Sequence, residues 1–188
     1  LSPGRRNELG TLELNNRLQA LLNPPDKQKA ELKNGNMLLR VGDKVMHNHN
    51  NYDILWTRDD GEVGSGVFNG DIGVLETVNR RDDTVSVRYD NRVALYTRED
   101  FKDLELAYAI TVHKSQGSEF DAVILTVFHH QKQLCYRNLL YTAITRAKKL
   151  LILVGDEQTL FSMIENDRKT LRYSGLEYFL KKRESNDA

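Results

Sequence analysis

The sequence predicts an α/β domain interrupted by a small β-barrel, and two changes of texture along the chain carry that prediction. Ala122 to Val127 and Leu150 to Val154 are near-continuous apolar runs bounded by polar residues, the pattern of parallel strands buried on both faces. Each is followed by a segment with helical spacing, giving strand, helix, strand, helix. Between about Met37 and Leu104 the chain instead shows short strands joined by tight polar turns, which suits a small barrel. A chain of 188 residues, 39% of them hydrophobic, can bury such a core, and its length fits one domain with a modest insertion.

Leu1-Ser2-Pro3 reads as the end of a strand, and with no Met at position 1 the chain is expected to be a piece of a longer one. Thr11 is placed to cap a helix in which Leu14, Leu18, Leu21 and Leu22 pack on a core, and Asn23-Pro24-Pro25 ends it. Lys27 to Asn36 is polar and closes on Asn34-Gly35-Asn36, a turn cluster that marks a boundary. The division expected is therefore 1–36 for the first part of the α/β domain, 37–104 for the barrel and 105–188 for the remainder. Within the barrel, strands are expected at Leu39 to Met46, Gly73 to Val78, Thr84 to Tyr89 and Val93 to Thr97. Asp82-Asp83 and Asp90-Asn91 supply tight connections. His47 to Gly66, which carries Trp56, is expected to be an exposed loop or a long hairpin. Further on, Gln133 to Lys148 can form a helix, Gly155-Asp156 leads into another with Leu160, Phe161 and Ile164, and Leu176, Phe179 and Leu180 give a terminal one.

Charge and cysteine content exclude several classes. Lysine and arginine balance aspartate and glutamate at 27 each, so no global field advertises a polyanionic partner, although local patches can still bind phosphate. The single Cys135 rules out an internal disulfide and offers no thiolate metal site, which fits a reducing, cytoplasmic setting. No apolar run approaches the roughly 18 residues of a membrane span. No carboxylate cluster has metal-binding spacing, so neither a bound metal nor a nuclease role is expected.

Two segments are far more specific than the rest. Ala109-Ile110-Thr111-Val112-His113-Lys114-Ser115-Gln116-Gly117-Ser118-Glu119-Phe120-Asp121 gathers glycine, hydroxyl and amide groups where a strand is expected to meet a helix, an arrangement that offers donors to an anion. It resembles motif V of superfamily 1 helicases. Leu140-Tyr141-Thr142-Ala143-Ile144-Thr145-Arg146-Ala147-Lys148-Lys149 resembles motif VI, in the order and at the spacing of that family. Ser2-Pro3-Gly4-Arg5-Arg6-Asn7-Glu8-Leu9-Gly10 resembles motif IV of RecD-type helicases. Val41-Gly42-Asp43-Lys44-Val45-Met46, Asn50-Asn51-Tyr52-Asp53 and Val67-Phe68-Asn69-Gly70-Asp71-Ile72-Gly73 resemble their inserted Src-homology-3-type barrel.

The resemblance implies a RecA-like parallel-sheet domain, the second of its protein, interrupted by a Src-homology-3-like barrel. It implies ATP with Mg2+ bound against a preceding RecA-like domain of the same protein, and single-stranded DNA as the track. Arg146 would be the arginine finger. Arg5 or Arg6 would reach the γ-phosphate, and Gly117 and Glu119 would lie at the nucleotide, Glu119 near the ribose. Thr111 and His113, with Lys114 as a phosphate contact, would touch the DNA backbone. Asn51, Tyr52, Trp56 and Arg58 are the barrel's candidates for a DNA platform, set against Trp56 as plain barrel core. Tyr141 either packs beside the site or is an ordinary core tyrosine. The chain carries no Gly-x-x-x-x-Gly-Lys-Ser/Thr phosphate loop, so alone it is expected to bind no ATP or Mg2+ and to be inactive. Nuclease and helicase subunits of an exonuclease V complex are further partners implied, and no membrane. Two other readings stay open: a catalytically inactive DNA-binding or protein-docking module, and the helicase part of a conjugative relaxase.

Overall fold

A computed structural model describes residues 1–128 and 134–167. The expected helix start at Gln133 and the terminal helix around Leu176, Phe179 and Leu180 lie outside them.

The chain begins in the middle of a parallel layer. Ser2 donates to Ile110 O at 3.1 Å and accepts from Val112 N at 3.0 Å, while Leu1 O accepts from Thr126 N at 3.0 Å. Leu1–Ser2 thus lies between the 110–112 stretch and β10 (Phe120–Val127), which pairs in parallel with β11 (Ala147–Gly155). α2 (Arg137–Ile144) and α3 (Glu157–Glu165) join and follow these strands. Val123, Leu125 and Val127 pack with Val112, Leu139, Leu140, Ala143 and Met163 into one core. The expectation of burial on both faces is corrected here. Alternate β10 residues point away from that core, and β11 is largely open, with Ile124 at 55% and Leu150 at 51% exposure, because no described element covers the other face. Lys148 and Lys149 belong to β11 rather than to the preceding helix.

α1 (Thr11–Leu22) docks through a polar stripe rather than through its leucines alone. Its buried stripe is Thr11, Asn15 and Gln19, continued by Asn23, whereas Leu12, Leu21 and Leu22 are exposed. Of the leucines expected to pack, Leu14 and Leu18 are half-buried beside this stripe, while Leu21 and Leu22 are open. Gly10, not Thr11, is the N-cap, and a Cβ there would lie 2.3 Å from Arg6 O.

The barrel is a seven-stranded antiparallel sheet in the order β5-β4-β8-β7-β6-β3-β9. The strands are β3 (Lys44–His47), β4 (Asn51–Arg58), β5 (Val63–Val67), β6 (Ile72–Asn79), β7 (Thr84–Tyr89), β8 (Arg92–Tyr96) and β9 (Leu104–Leu106). The polar 47–66 stretch is the β4–β5 hairpin. Val45, Leu75, Val85, Val87, Ala94 and Tyr96 are fully buried at its centre. A separate hairpin, β1 (Glu31–Asn34) with β2 (Met37–Arg40), straddles position 36/37 and contributes the fully buried Leu39 to the barrel core. β9 likewise straddles 104/105.

Asp43 fastens these parts together. It is fully buried, and its carboxylate accepts from Gln19 Nε2 at 2.6 Å, Asn23 Nδ2 at 2.7 Å, the Arg40 backbone N–H at 2.7 Å and the Tyr108 hydroxyl at 2.9 Å. Asn15 does the same one turn earlier, donating to Leu106 O and Ala109 O and accepting from Ala109 N at 2.7 Å. Every buried amide on α1 is thereby satisfied, the condition under which a polar stripe can be buried.

Candidate nucleotide and nucleic-acid interface

The loop from Gly4 to Gly10 leaves the parallel layer at its carboxyl-terminal edge. Ser2 Oγ donates to Leu9 O at 2.8 Å and Gly10 N to Asn7 O at 2.9 Å, with Asn7 in the left-handed region at φ 78°. The arginine doublet is split by its surroundings. Arg5 meets Glu105 at 2.7 Å, whereas Arg6 is exposed and has no ion pair among the described residues.

Thr111 to Gly117 is a run of turns leading into β10, not the start of a helix as expected. Ser115 N donates to Thr111 O at 3.1 Å and Ser118 N to Ser115 O at 3.1 Å. Gly117 has φ 86°, a conformation a side chain would strain, and it reverses the chain just before Ser118 and Glu119. Thr111 is buried, and its hydroxyl accepts from Lys114 N at 3.2 Å, so it braces the turn. His113 is exposed, with Nε2 3.4 Å from the Tyr136 hydroxyl. The Lys114 ammonium is already engaged by Glu105 and Asn48. Glu105 therefore links Arg5, Lys114 and the last barrel strand.

Arg146 sits in the turn between α2 and β11 and joins the two motifs. Its guanidinium donates through Nη1 to Ser118 O at 2.9 Å and through Nε to Thr142 O at 3.2 Å, and its own carbonyl accepts from Phe120 N at 2.8 Å. No carboxylate pairs with it among the described residues. Beside it, Glu119 faces Lys148 at 3.2 Å, both more than half exposed. Tyr141 is 69% exposed, which rules out the core-tyrosine alternative.

In the barrel, a register shift in β4 between Asn51 and Leu55 separates an open aromatic from a covered one. Ile54 and Trp56 point inward; Trp56 packs on the barrel core, and Arg58 and Arg92 lie over its ring at 5.3 Å and 5.5 Å. Trp56 is thus a covered core ring, not an open platform. Arg58 is ion-paired with Glu62. Asn51 donates to Asp100 Oδ1 at 3.4 Å and accepts from Asp53 N at 3.0 Å. Tyr52, 66% exposed, meets Phe68 edge to face with centroids 5.7 Å apart. Phe68 was not singled out from the sequence, although the burial of Val67 implies that its neighbour points outward. Arg58, Asp71, Asn91 and Arg92 line an open groove with Ser118 and Glu119, so the barrel's β7–β8 end faces the end of the motif V turn. The described residues contain no metal-binding cluster.

A parallel layer of RecA type that carries a small barrel and holds motif V against motif VI through one arginine defines a superfamily 1 helicase domain. Residues 14–89 match the family model for the SH3 domain of ATP-dependent RecD-like DNA helicases, and residues 106–154 match the UvrD-like helicase C-terminal domain. The chain is 35% identical over 149 residues to the ATP-dependent RecD2 DNA helicase of Deinococcus radiodurans, covering 79% of this chain and 18% of that protein. It is 43% identical over 74 residues to the RecBCD enzyme subunit RecD of Mycobacterium tuberculosis, covering 39% of this chain and 12% of that one. The chain belongs to the RecD-like helicase family. It spans less than a fifth of the length of these relatives. Among solved structures, Pif1 helicase from Bacteroides in complex with ADP-AlF3 and ssDNA shares the fold, with TM-score 0.50 at 20% identity over 98% of this chain and 45% of that one.

Proposed function

We propose that this chain is the second RecA-like domain, with its barrel, of an ATP-dependent DNA helicase acting in recombination and repair. ATP with Mg2+ binds between it and a preceding RecA-like domain of the same protein, which supplies the phosphate loop. Arg146 meets the γ-phosphate as the finger, and Arg6 contributes from the opposite loop, since Arg5 is held by Glu105. Gly117 lets the motif V turn approach the nucleotide, and Glu119 takes the ribose. His113 grips single-stranded DNA, with Thr111 bracing that turn and Lys114 holding it against the barrel. Tyr52 and Phe68 offer stacking faces to bases. Each hydrolysis cycle closes and opens the cleft and moves the grip along the strand, in the 5′ to 3′ direction by family resemblance. The setting is cytoplasmic, where nuclease and helicase subunits of an exonuclease V complex are the partners; no helix among the described residues is long and apolar enough to cross a membrane.

The observation that carries this reading is the Arg146 guanidinium, bonded to carbonyls of both motifs and met by no carboxylate among the described residues. Such an arginine keeps its charge uncompensated until a phosphate arrives, and fingers of this kind are worth about 10³–10⁵ in turnover. The test is single-strand-stimulated ATP hydrolysis by the full-length protein, wild type against Arg146→Ala at matched thermal stability. A loss of at least about a hundredfold is expected. Undiminished turnover in the variant would remove Arg146 from the reaction, and an inactive wild type would favour a DNA-binding module without catalysis.

A further inference from the structure

A second group of arginines lacks a carboxylate partner, as Arg6, Arg137 and Arg146 do among the described residues. Most arginines among the described residues meet a carboxylate; Arg88 meets two, Asp59 at 2.8 Å and Glu76 at 3.0 Å. Arg80 and Arg81, in the β6–β7 turn, meet none, and neither do Lys27 and Lys29 across from them. These four cations line one open groove with Gln28, Ala30, Val78 and Asn79. Two of them are fixed by neutral oxygens: Arg80 Nε donates to Glu31 O at 2.7 Å, and Lys29 Nζ to Asn23 Oδ1. Two carboxylates beside them in sequence bond the backbone and an amide rather than these cations. Asp26 Oδ1 accepts from Gln28 N at 2.8 Å, and Asp82 accepts from Asn79 Nδ2 at 2.6 Å.

We propose that this groove is a nucleic-acid backbone site, separate from the motif V edge. Its place in the fold separates the two. β7 runs from Thr84, opposite Asn79, to Tyr89, opposite Arg92, so the β6–β7 turn and the β7–β8 end that faces motif V lie at opposite poles of the barrel. The chemistry suits a polyanion: in a chain of zero formal charge, this groove gathers four cations that no carboxylate pairs directly, a surface that phosphates can neutralise. With no open aromatic ring among its lining residues, the groove offers charge without base stacking, which suits phosphate contacts that are blind to sequence.

The experiment is fluorescence anisotropy on the 188-residue chain with labelled single strands and labelled duplex, over a range of salt. Wild type is compared with Lys27→Glu/Arg81→Glu and, separately, with His113→Ala, each shown by circular dichroism to melt as wild type does. The groove variant is expected to bind about tenfold or more weakly and to show a shallower salt slope, by about 0.7–0.9 for each phosphate it no longer neutralises. A greater loss on duplex than on single strands assigns the groove to duplex, and the reverse assigns it to single strands; either supports the site. Wild-type affinity and slope in the groove variant would overturn it, whatever His113→Ala does. Loss confined to His113→Ala would leave the motif V reading standing alone, and loss confined to the groove variant would leave only the groove. Binding of polyglutamate with no nucleic-acid binding would also overturn it, in favour of an acidic protein partner.

Discussion

At the scale of single residues, this molecule sorts its polar groups by whether they are answered. His47 is buried, with Nδ1 3.2 Å from the Tyr96 hydroxyl, which is in turn 2.6 Å from the Tyr89 hydroxyl, and its Nε2 has no partner among the described residues. Burial pushes the His47 imidazole below its ordinary value of 6.5, against the nearby Asp103, Asp71 and Asp100, which favour the charged form, and with His49, which opposes it. Burial also pushes both tyrosine hydroxyls upward, so they stay protonated. The sign follows from proton uptake. Below its ordinary pKa the unfolded histidine binds a proton that the folded one refuses, so stability is full above about pH 6.5 and falls as pH drops through that value. Urea unfolding at about pH 7.5 and about pH 5.5 should show the wild type losing more between the two than His47→Gln. Equal losses would place the pH response elsewhere.

At the scale of elements, polar contacts rather than apolar ones dock α1. Asp43→Ala would leave the Gln19, Asn23 and Tyr108 donors and the Arg40 backbone N–H without their acceptor, and a destabilisation of about 3–5 kcal/mol is expected. Chemical denaturation measures it, and a cost near that of a surface substitution would show that water replaces the carboxylate. This helix also marks where sequence reading stops. Strand alternation made β6 to β8 legible, because a sheet face repeats every two residues whatever covers it. The motif V and motif VI segments were legible because their residue order is specific; that Arg146 would bond Ser118 O was not, since nothing local encodes a contact 28 residues away. In α1 the leucines gave the period, but Leu21 and Leu22 are open and the centre of the docking face is polar. Nothing local marks Asn15, Gln19 and Asn23 as interior residues; the Asp43 carboxylate and the carbonyls of Leu38, Val41, Leu106 and Ala109, all distant in sequence, make them so. The apolar run of β11 likewise identifies a strand without stating what lies against it.

At the scale of the whole molecule, the barrel and the parallel layer share more than a chain crossing. Leu1–Ser2 is held between the 110–112 stretch and β10, and the Asp43 and Asn15 bonds reach from α1 into both ends of the barrel segment. Unfolding is therefore expected as one cooperative transition, with tryptophan fluorescence reporting on Trp56 in the barrel and far-ultraviolet dichroism on the helices superimposing. Two separated transitions would mean that the hydrogen-bonded seam is weaker than either side. The buried amides of α1 also bear on whether the barrel can be separated from the rest. A barrel inserted as a free cassette would touch its host through the two crossing points alone, and could be lost or exchanged between relatives by simple excision. Here α1 completes the hydrogen bonds of the barrel segment, so a variant without the barrel would leave Asn15, Gln19 and Asn23 buried without partners unless they were replaced as well. A graft of this barrel into another fold should therefore carry α1 along.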